Sequence, residues 1–357
     1  MKIIDGHMHI TQWERKDGKS TFKIIEDYQK ENGISAIDNM SCTNNGDLWD
    51  GFEIDQSIIG SIMKLHNPSV FSHGCLYIPK DHNELEKYDF KSQLEELMEI
   101  GCDGVKICDF KPDAYKKLQV DKILDKYDEY IGYCEKYGVN MCWHVADPEF
   151  NWDPDKVSEY AKKVGWFYGD SSFPTFDELI NMTYRFLDAH PNLKVWLAHM
   201  FFKSNEPDEV AAMLEKYPNL NIDLAPGWEM FEGFKAHYDK WYEIFRKYSD
   251  RFIFATDITL TAPDIRINSL SRYVKRFLET DDEFVAENVG GRIIKGIKLE
   301  ENHLENILYK NHERIIGEKP KEVNKAALKK YIDRYLPLMP DSKNKQMTEE
   351  YYRKNLI

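Results

Sequence analysis

Two histidines near the start of the chain, His7 and His9, are separated by a single residue within the short apolar run Lys2–Ile10. If this run is a β-strand, its period of two places both side chains on one face. Two imidazoles on one face can bind one metal ion, with carboxylate or imidazole groups from other strands completing the site. A single His-x-His pair is a weak signal, because histidines are common in cores and on surfaces.

Three further polar residues, His144, His199 and Asp257, each end a short run that looks buried. Taken singly, a histidine at a strand end is more often hydrogen-bonded structure, and an aspartate there is more often a helix N-cap. Burying five such groups without partners would be costly, and a metal ion would supply the partner. Together the five residues therefore predict a metal site. The three runs are Asn140–His144, Val195–His199 and Phe252–Asp257.

Eight β-rich runs alternate with amphipathic stretches of helical spacing, several of which end at a glycine such as Gly101 or Gly138. This alternation favours parallel pairing, and eight repeats predict an α/β fold closed into a (β/α)8 TIM barrel. The carboxyl ends of the strands would then meet at one face, where the five polar residues converge. The predicted strands are Lys2–Ile10, Gly33–Met40, Val70–Ile78, Asp103–Cys108, Val139–Val145, Lys194–His199, Leu220–Leu224 and Arg251–Asp257.

Two regions lie outside the minimal barrel. Residues 146–175 form a long segment rich in Asp, Pro, Gly and aromatic residues after the fifth predicted strand, and long loops of this kind are often lids or binding loops. Residues 281–357 look largely helical and charged, which predicts additional C-terminal helices around the barrel. No linker separates a second domain, so residues 1–357 are expected to form a single barrel domain.

Composition narrows the classes of function. The 357 residues include 48 Lys and Arg against 62 Asp and Glu, and the net charge of −14 argues against nucleic acid or an anionic membrane as the main partner. No apolar run approaches the ~18 residues of a membrane-spanning helix. The polar N-terminus does not resemble a signal peptide, and the six cysteines contain no Cys-x-x-Cys pair. We therefore expect a soluble, cytoplasmic protein with reduced cysteines.

Four segments resemble the amidohydrolase superfamily: Asp5–His9 (DGHMH), the strand-end His144, Leu197–His199 (LAH) and Phe254–Asp257 (FATD). Within the superfamily, the chain resembles the amidohydrolase-related (family 2) TIM-barrel metal-dependent hydrolases, the branch that also contains aminocarboxymuconate-semialdehyde decarboxylase-like enzymes. The resemblance covers roughly residues 1–320. The five polar residues in this order are specific, whereas the His-x-His pair alone is not.

The resemblance implies one divalent metal ion, held by His7, His9, His144 and Asp257. His199 would orient or polarise the substrate, or bind a second metal if one is present. Imidazole and carboxylate ligands suit zinc first, with manganese, iron or cobalt as alternatives.

Lys106 ends the segment Asp103–Lys106 on the fourth predicted strand. Some superfamily members carry a carbamylated lysine there that bridges two metals. An unmodified Lys106 could instead pair with an anionic group of the substrate, and we expect this form together with a single metal. Ile107-Cys108-Asp109 departs from the Lys-x-His-Pro pattern of many relatives, so detailed substrate preference does not transfer.

Substrate contacts are expected from Lys106, Trp228 and Arg266, which end or follow predicted strands. Asp147 and Glu149, in the expected lid, would oppose a strongly anionic substrate. The partner is expected to be a small molecule, and a flank of the barrel could also support a homodimer.

The expected reaction is hydrolysis of a small amide, ester or lactone by a metal-activated water, with Asp257 as proton acceptor and donor. The metal and His199 would stabilise the developing oxyanion. One alternative is a metal-dependent, non-oxidative decarboxylase of a small unsaturated or aromatic acid. A second is a catalytically silent barrel that binds a small molecule.

Overall fold

A computed structural model describes residues 1–44, 55–227, 229–289 and 291–355. Within these ranges, no helix combines the length and the apolar character that crossing a membrane would require.

The central sheet is parallel throughout and runs in the order β8-β7-β6-β5-β4-β3-β2-β1-β9. Each predicted strand is found, and each is shorter at one or both ends or shifted by a few residues. The observed strands are β1 Ile4–His9, β2 Ala36–Met40, β3 Val70–Gly74, β4 Gly104–Phe110, β5 Met141–Val145, β6 Val195–Leu197, β7 Leu220–Asp223, β8 Phe252–Ile253 and β9 Ile258–Thr259.

Two short strands stand where one was predicted: β8 lies within the eighth predicted strand, β9 directly follows it, and together they close the barrel. β8 pairs with β7, and β9 pairs with β1. Between them, the Gly6 amide donates to the Phe254 carbonyl at 2.9 Å, and the Asp257 amide donates to the His7 carbonyl at 2.9 Å. A Cβ on Gly6 would lie 2.7 Å from Ile253 Cγ2, so glycine permits this close approach of β1 to the closing strand.

Helices cover the outside of the barrel, as the amphipathic stretches predicted. Gly101 and Gly138 end their helices with φ of 98° and 65°, the left-handed conformation that glycine adopts most readily. The helices are α1 Thr21–Asn32, α2 Gln56–His66, α3 Phe90–Ile100, α4 Pro112–Leu118, α5 Leu124–Tyr137, α6 Glu159–Lys163, α7 Phe176–Ala189, α8 Pro207–Lys216, α9 Met230–Ala236, α10 Tyr238–Lys247, α11 Asp264–Glu279, α12 Glu301–Glu305, α13 Asn311–Ile315, α14 Lys325–Tyr335 and α15 Lys343–Asn355.

The C-terminal region begins with a β-hairpin rather than a helix. β10 (Glu283–Ala286) and β11 (Arg292–Lys295) pair antiparallel, and in both strands exposed and buried residues alternate. This period of two extends over only a few residues and lies in a charged segment. The sequence pattern therefore predicted helices here instead of a hairpin. The additional helices α12 to α15 follow, and Thr348 of α15 accepts a hydrogen bond from the indole of Trp13 at 2.7 Å.

Candidate active site

His7 and His9 both point from β1 toward the carboxyl end of the barrel, and each ring is held by its Nδ1 atom. His7 Nδ1 donates to Asp223 Oδ2 at 2.8 Å, and His9 Nδ1 donates to the Met40 carbonyl at 2.7 Å. With the proton on Nδ1, the Nε2 atom of each ring carries a lone pair. Burial lowers the pKa of His7 well below its usual value, which keeps this ring neutral.

Asp257 faces both of these lone pairs. Its Oδ1 lies 3.1 Å from His9 Nε2 and 3.8 Å from His7 Nε2. Burial opposes the ionisation of Asp257, but His199 and His9 beside it hold its pKa well below the usual range. Its backbone has a φ of 55°, a conformation that aspartate tolerates better than most residues. The carboxylate is therefore ionised and directed at the two imidazoles.

His7, His9 and Asp257 form a group that fits a metal ion. One ligand atom from each residue lies within 4.8 Å of the other two. Both imidazoles are oriented by hydrogen bonds from the opposite ring nitrogen, the usual arrangement for histidine ligands. His144, expected as the fourth ligand, does not belong to this group and contacts it through His199, with ring centroids 4.6 Å apart.

The contact between His144 and His199 brings two ring nitrogens face to face. His144 Nε2 lies 3.0 Å from the Ala146 carbonyl, and His199 Nδ1 lies 3.1 Å from the Ala225 carbonyl. A carbonyl accepts only, so both of these nitrogens must carry their protons. The remaining atoms, His144 Nδ1 and His199 Nε2, then face each other with lone pairs at 3.1 Å. Burial lowers the pKa of both rings, that of His199 to about 4, so both rings are neutral and each offers an acceptor nitrogen at this contact.

The turn that carries His199 is strained. His199, Met200, Phe201 and Phe202 have φ values of 57°, 55°, 53° and 53°, four consecutive non-glycine residues in the left-handed region. Such residues cost of order 1 to 3 kcal/mol each and cluster at functional sites. His199 and Phe202 of this turn both line the cavity that is described below as the inner cavity.

Asp223 connects these parts of the site, and the sequence analysis missed it. Besides holding His7, its carboxylate accepts from the backbone amides of His199 at 2.8 Å and Ala225 at 3.1 Å. Burial raises its pKa. Asp223 lies near the end of the seventh predicted strand. The strand-end rule that predicted Asp257 as a site residue could therefore also have predicted Asp223.

Lys106 lies beneath the site rather than in its opening. It is 1% exposed, with Nζ 3.3 Å from His7 Nε2, and it donates to Cys142 Sγ at 3.2 Å. It does not line the cavity described below. This position does not favour direct contact between Lys106 and a substrate. Such contact by an unmodified Lys106 stays a prediction.

A cavity of about 420 Å³, here called the inner cavity, opens above the histidines. His9, His144, His199 and Asp257 form its floor. Its walls come partly from the segment 146–175. The wall residues include Asp147, Phe150, Asn151, Tyr160, Trp166, Phe202 and Glu229.

The other two substrate residues expected from the sequence are Arg266 and Trp228. Arg266 is exposed on α11 and borders neither this cavity nor its neighbour. Trp228 lies outside the described residues.

A buried ion pair joins the segment 146–175 to the barrel. Lys111, after β4, pairs with Asp147, which also accepts a hydrogen bond from Tyr168 at 2.5 Å. Burial opposes the charge on Asp147, but Lys111 holds the pKa of this carboxyl well below its usual range. Lys111 also lies 4.9 Å from the ring centre of Trp166, so this lysine stabilises the cavity wall.

No protein-family model matches the sequence, and no curated protein matches it. The structure is similar to an uncharacterized TIM-barrel protein from Bordetella bronchiseptica, with 13% identity and a TM-score of 0.55 over 88% of this chain and 98% of that chain. It is similar to 2,6-dihydroxybenzoate decarboxylase from Rhizobium, with 14% identity and a TM-score of 0.54 over 88% and 98%. It is also similar to IDCase from Metarhizium anisopliae, with 15% identity and a TM-score of 0.50 over 88% and 97%. These likenesses confirm the TIM barrel that the resemblance to the amidohydrolase superfamily implied.

Proposed function

We propose that the protein is a metal-dependent hydrolase that cleaves a small amide, ester or lactone. The observation that carries this proposal is the convergence of His7, His9 and Asp257, with two imidazole lone pairs and a carboxylate within 4.8 Å of one another. A single metal ion is the simplest occupant of the site that these three residues form. Zinc is the first candidate, and manganese, iron and cobalt are the alternatives.

A divalent ion bound by these residues would activate water and polarise a carbonyl group. Asp257 is the residue that would accept the proton of the attacking water, because it is ionised and lines the floor of the inner cavity. The same carboxyl would then return this proton to the departing nitrogen or oxygen.

His199 has a more restricted role than the sequence analysis assigned to it. Its Nδ1–H is used by the Ala225 carbonyl, and its pKa of about 4 keeps the ring neutral, so Nε2 accepts hydrogen bonds rather than donating them. We propose that His199 orients the attacking water or an N–H or O–H of the substrate. In this tautomer it cannot stabilise an oxyanion by donating from Nε2.

The decarboxylase alternative requires a receptor for a substrate carboxylate. Among the described residues that line the inner cavity, Lys111 is the only lysine or arginine, and Asp147 already pairs with it. Apart from the metal, which would hold the substrate in either reaction, the described lining offers an acid no unpaired lysine or arginine, and this favours an uncharged reacting group.

The test is to supply metal-depleted protein with one equivalent of zinc, manganese, iron or cobalt and to screen small amides, esters and lactones while also monitoring carbon dioxide release from aromatic acids. We expect metal-dependent hydrolysis. Metal-dependent carbon dioxide release without hydrolysis would replace the proposal with the decarboxylase. Protein that binds none of the four ions would reject both enzymatic assignments.

A further inference from the structure

A second, larger cavity of about 900 Å³ adjoins the inner cavity on its open side and is here called the outer cavity. Pro148, Phe150, Phe202 and Glu229 line both cavities. A molecule whose reacting group lies on the floor of the inner cavity would therefore extend past these four residues into the outer one.

The lining of the outer cavity is strongly acidic. In the described part of the chain it contains seven carboxylates and one lysine, Lys156. Lys156 pairs with Asp153, and Arg292 pairs with Glu232. The seven carboxylates are Glu149, Asp153, Asp170, Asp177, Glu206, Glu229 and Glu232.

Two of the remaining five carboxylates have local structural roles. Asp170 accepts a hydrogen bond from the Ser172 amide at 2.8 Å. Asp177 lies in the first turn of α7, where negative charge stabilises the helix N-terminus. Glu149, Glu206 and Glu229 are left, and none of them forms an ion pair within the described ranges.

Glu229 has the feature that points to a ligand. Its Oε1 atom is shielded from solvent and has no hydrogen-bond partner among the described residues. Burial raises the pKa of Glu229 to about 7 and also raises the pKa of Glu206. A buried carboxylate without a partner is unfavourable, and a cation beside it would remove that cost.

The backbone makes room for this carboxyl group. A Cβ on Gly227 would lie 2.2 Å from Glu229 Oε1, so any other residue at position 227 would displace the carboxyl from its place between the two cavities.

Aromatic rings supply the rest of a cation site. Six of them line the outer cavity, and the faces of such rings attract cations. Lys116 and Lys203 already lie 4.1 Å and 5.2 Å from the ring centres of Phe173 and Phe176. Phe150 and Trp152 border the cavity without a lysine or arginine of the described chain against their rings.

We propose that the outer cavity is a subsite for a cationic group, held by Glu229 and Glu206 and by the faces of Phe150 and Trp152. This inference rests on the proposed function and names its substrate class. The substrate would carry an ammonium or guanidinium group, joined by a short spacer to the amide, ester or lactone that reacts in the inner cavity.

Three probes of nearly equal shape test the subsite without any hydrolysis: choline, the uncharged 3,3-dimethyl-1-butanol and the anionic 3,3-dimethylbutanoate. Their dissociation constants are measured by ligand-observed NMR titration at pH 8, with zinc-loaded and with metal-depleted protein. We expect choline to bind roughly tenfold more tightly than the alcohol, and the carboxylate to bind weakest to the metal-depleted protein.

Glu229→Gln should weaken choline binding roughly tenfold and leave the alcohol unaffected, because the amide keeps the shape and removes the charge. Glu206→Gln should also weaken choline binding. It serves as a second variant if Glu229→Gln does not fold. Glu159→Gln is the matched control, since Glu159 lies in the segment 146–175 near the cavities, pairs with Lys162 and lines neither cavity.

Equal binding of the three probes, or choline binding that neither glutamate variant changes, would overturn the subsite and leave the hydrolase proposal standing. If the protein binds choline selectively but hydrolyses none of the compounds, the subsite is supported and the hydrolase proposal is rejected.

Discussion

Replacement of Asp223 by asparagine tests the orientation of the proposed metal ligands without touching any ligand atom. One oxygen of Asp223 accepts from His7 Nδ1, and the other accepts from the backbone amides of His199 and Ala225. Asparagine has a single oxygen. Keeping that oxygen toward the two backbone amides preserves two hydrogen bonds, so the new NH2 group should face His7.

An NH2 group facing His7 Nδ1 changes the tautomer of this histidine. Nδ1 must then accept a hydrogen bond, and the proton moves to Nε2, the atom that faces Asp257. A protonated Nε2 cannot bind a metal ion. Loss of such an orienting partner typically lowers metal affinity by 10- to 100-fold, about 1.4 to 2.7 kcal/mol. The altered hydrogen bond should also lower the free energy of unfolding by about 1 to 3 kcal/mol.

Competition with a chromophoric chelator measures the metal affinity, and chemical denaturation of the metal-free protein measures stability. Asp38→Asn is the matched control. Asp38 is also buried between histidine nitrogens, at 2.9 Å from both His73 and His312, and neither histidine belongs to the group that faces Asp257. We expect this variant to lose stability and keep its metal affinity. Metal binding by Asp223→Asn within twofold of the wild type would refute the reasoning.

Three further predictions follow from the same geometry. Asp257→Asn should fold normally and lower turnover by about 10² to 10⁴, since an amide is a poor proton acceptor, and a steady-state assay with retained kcat would count against the proton-transfer role. The double variant His7→Ala and His9→Ala should bind less than one metal ion per chain by elemental analysis, and full occupancy would exclude them as ligands. Burial raises the pKa of Asp109 to about 6 in the folded protein. Because the unfolded chain releases this proton at lower pH, the free energy of unfolding falls as pH rises from about 4 to about 6. Asp109→Asn should flatten this part of the stability profile, and an unchanged profile would show that Asp109 is not the group responsible.

Most of the barrel and part of the site could be predicted because their signals are local. Alternation of polar and apolar residues places His7 and His9 on one face of β1, and the carboxyl ends of parallel strands meet at one edge. These two rules brought His199 and Asp257 to the floor of the same cavity, as the structure shows. His144, expected among the metal ligands, lies beside His199 instead.

The rest depended on contacts between distant parts of the chain. His7 and Asp223 are 216 residues apart, and only their hydrogen bond decides which nitrogen of His7 carries the proton. That two short strands close the barrel follows from pairing with β1 on one side and β7 on the other. Arg266 follows a strand in sequence, yet its helix turns it to solvent.

The order of the elements, and the polar residues that lie at or just beyond the strands, could be read from the sequence alone, since hydrophobic periodicity is a property of neighbouring residues. Only the tertiary structure decided the tautomers, the charge of the cavity walls and the unpartnered carboxyl of Glu229. Each of these depends on burial and on which distant side chain supplies, or fails to supply, a partner.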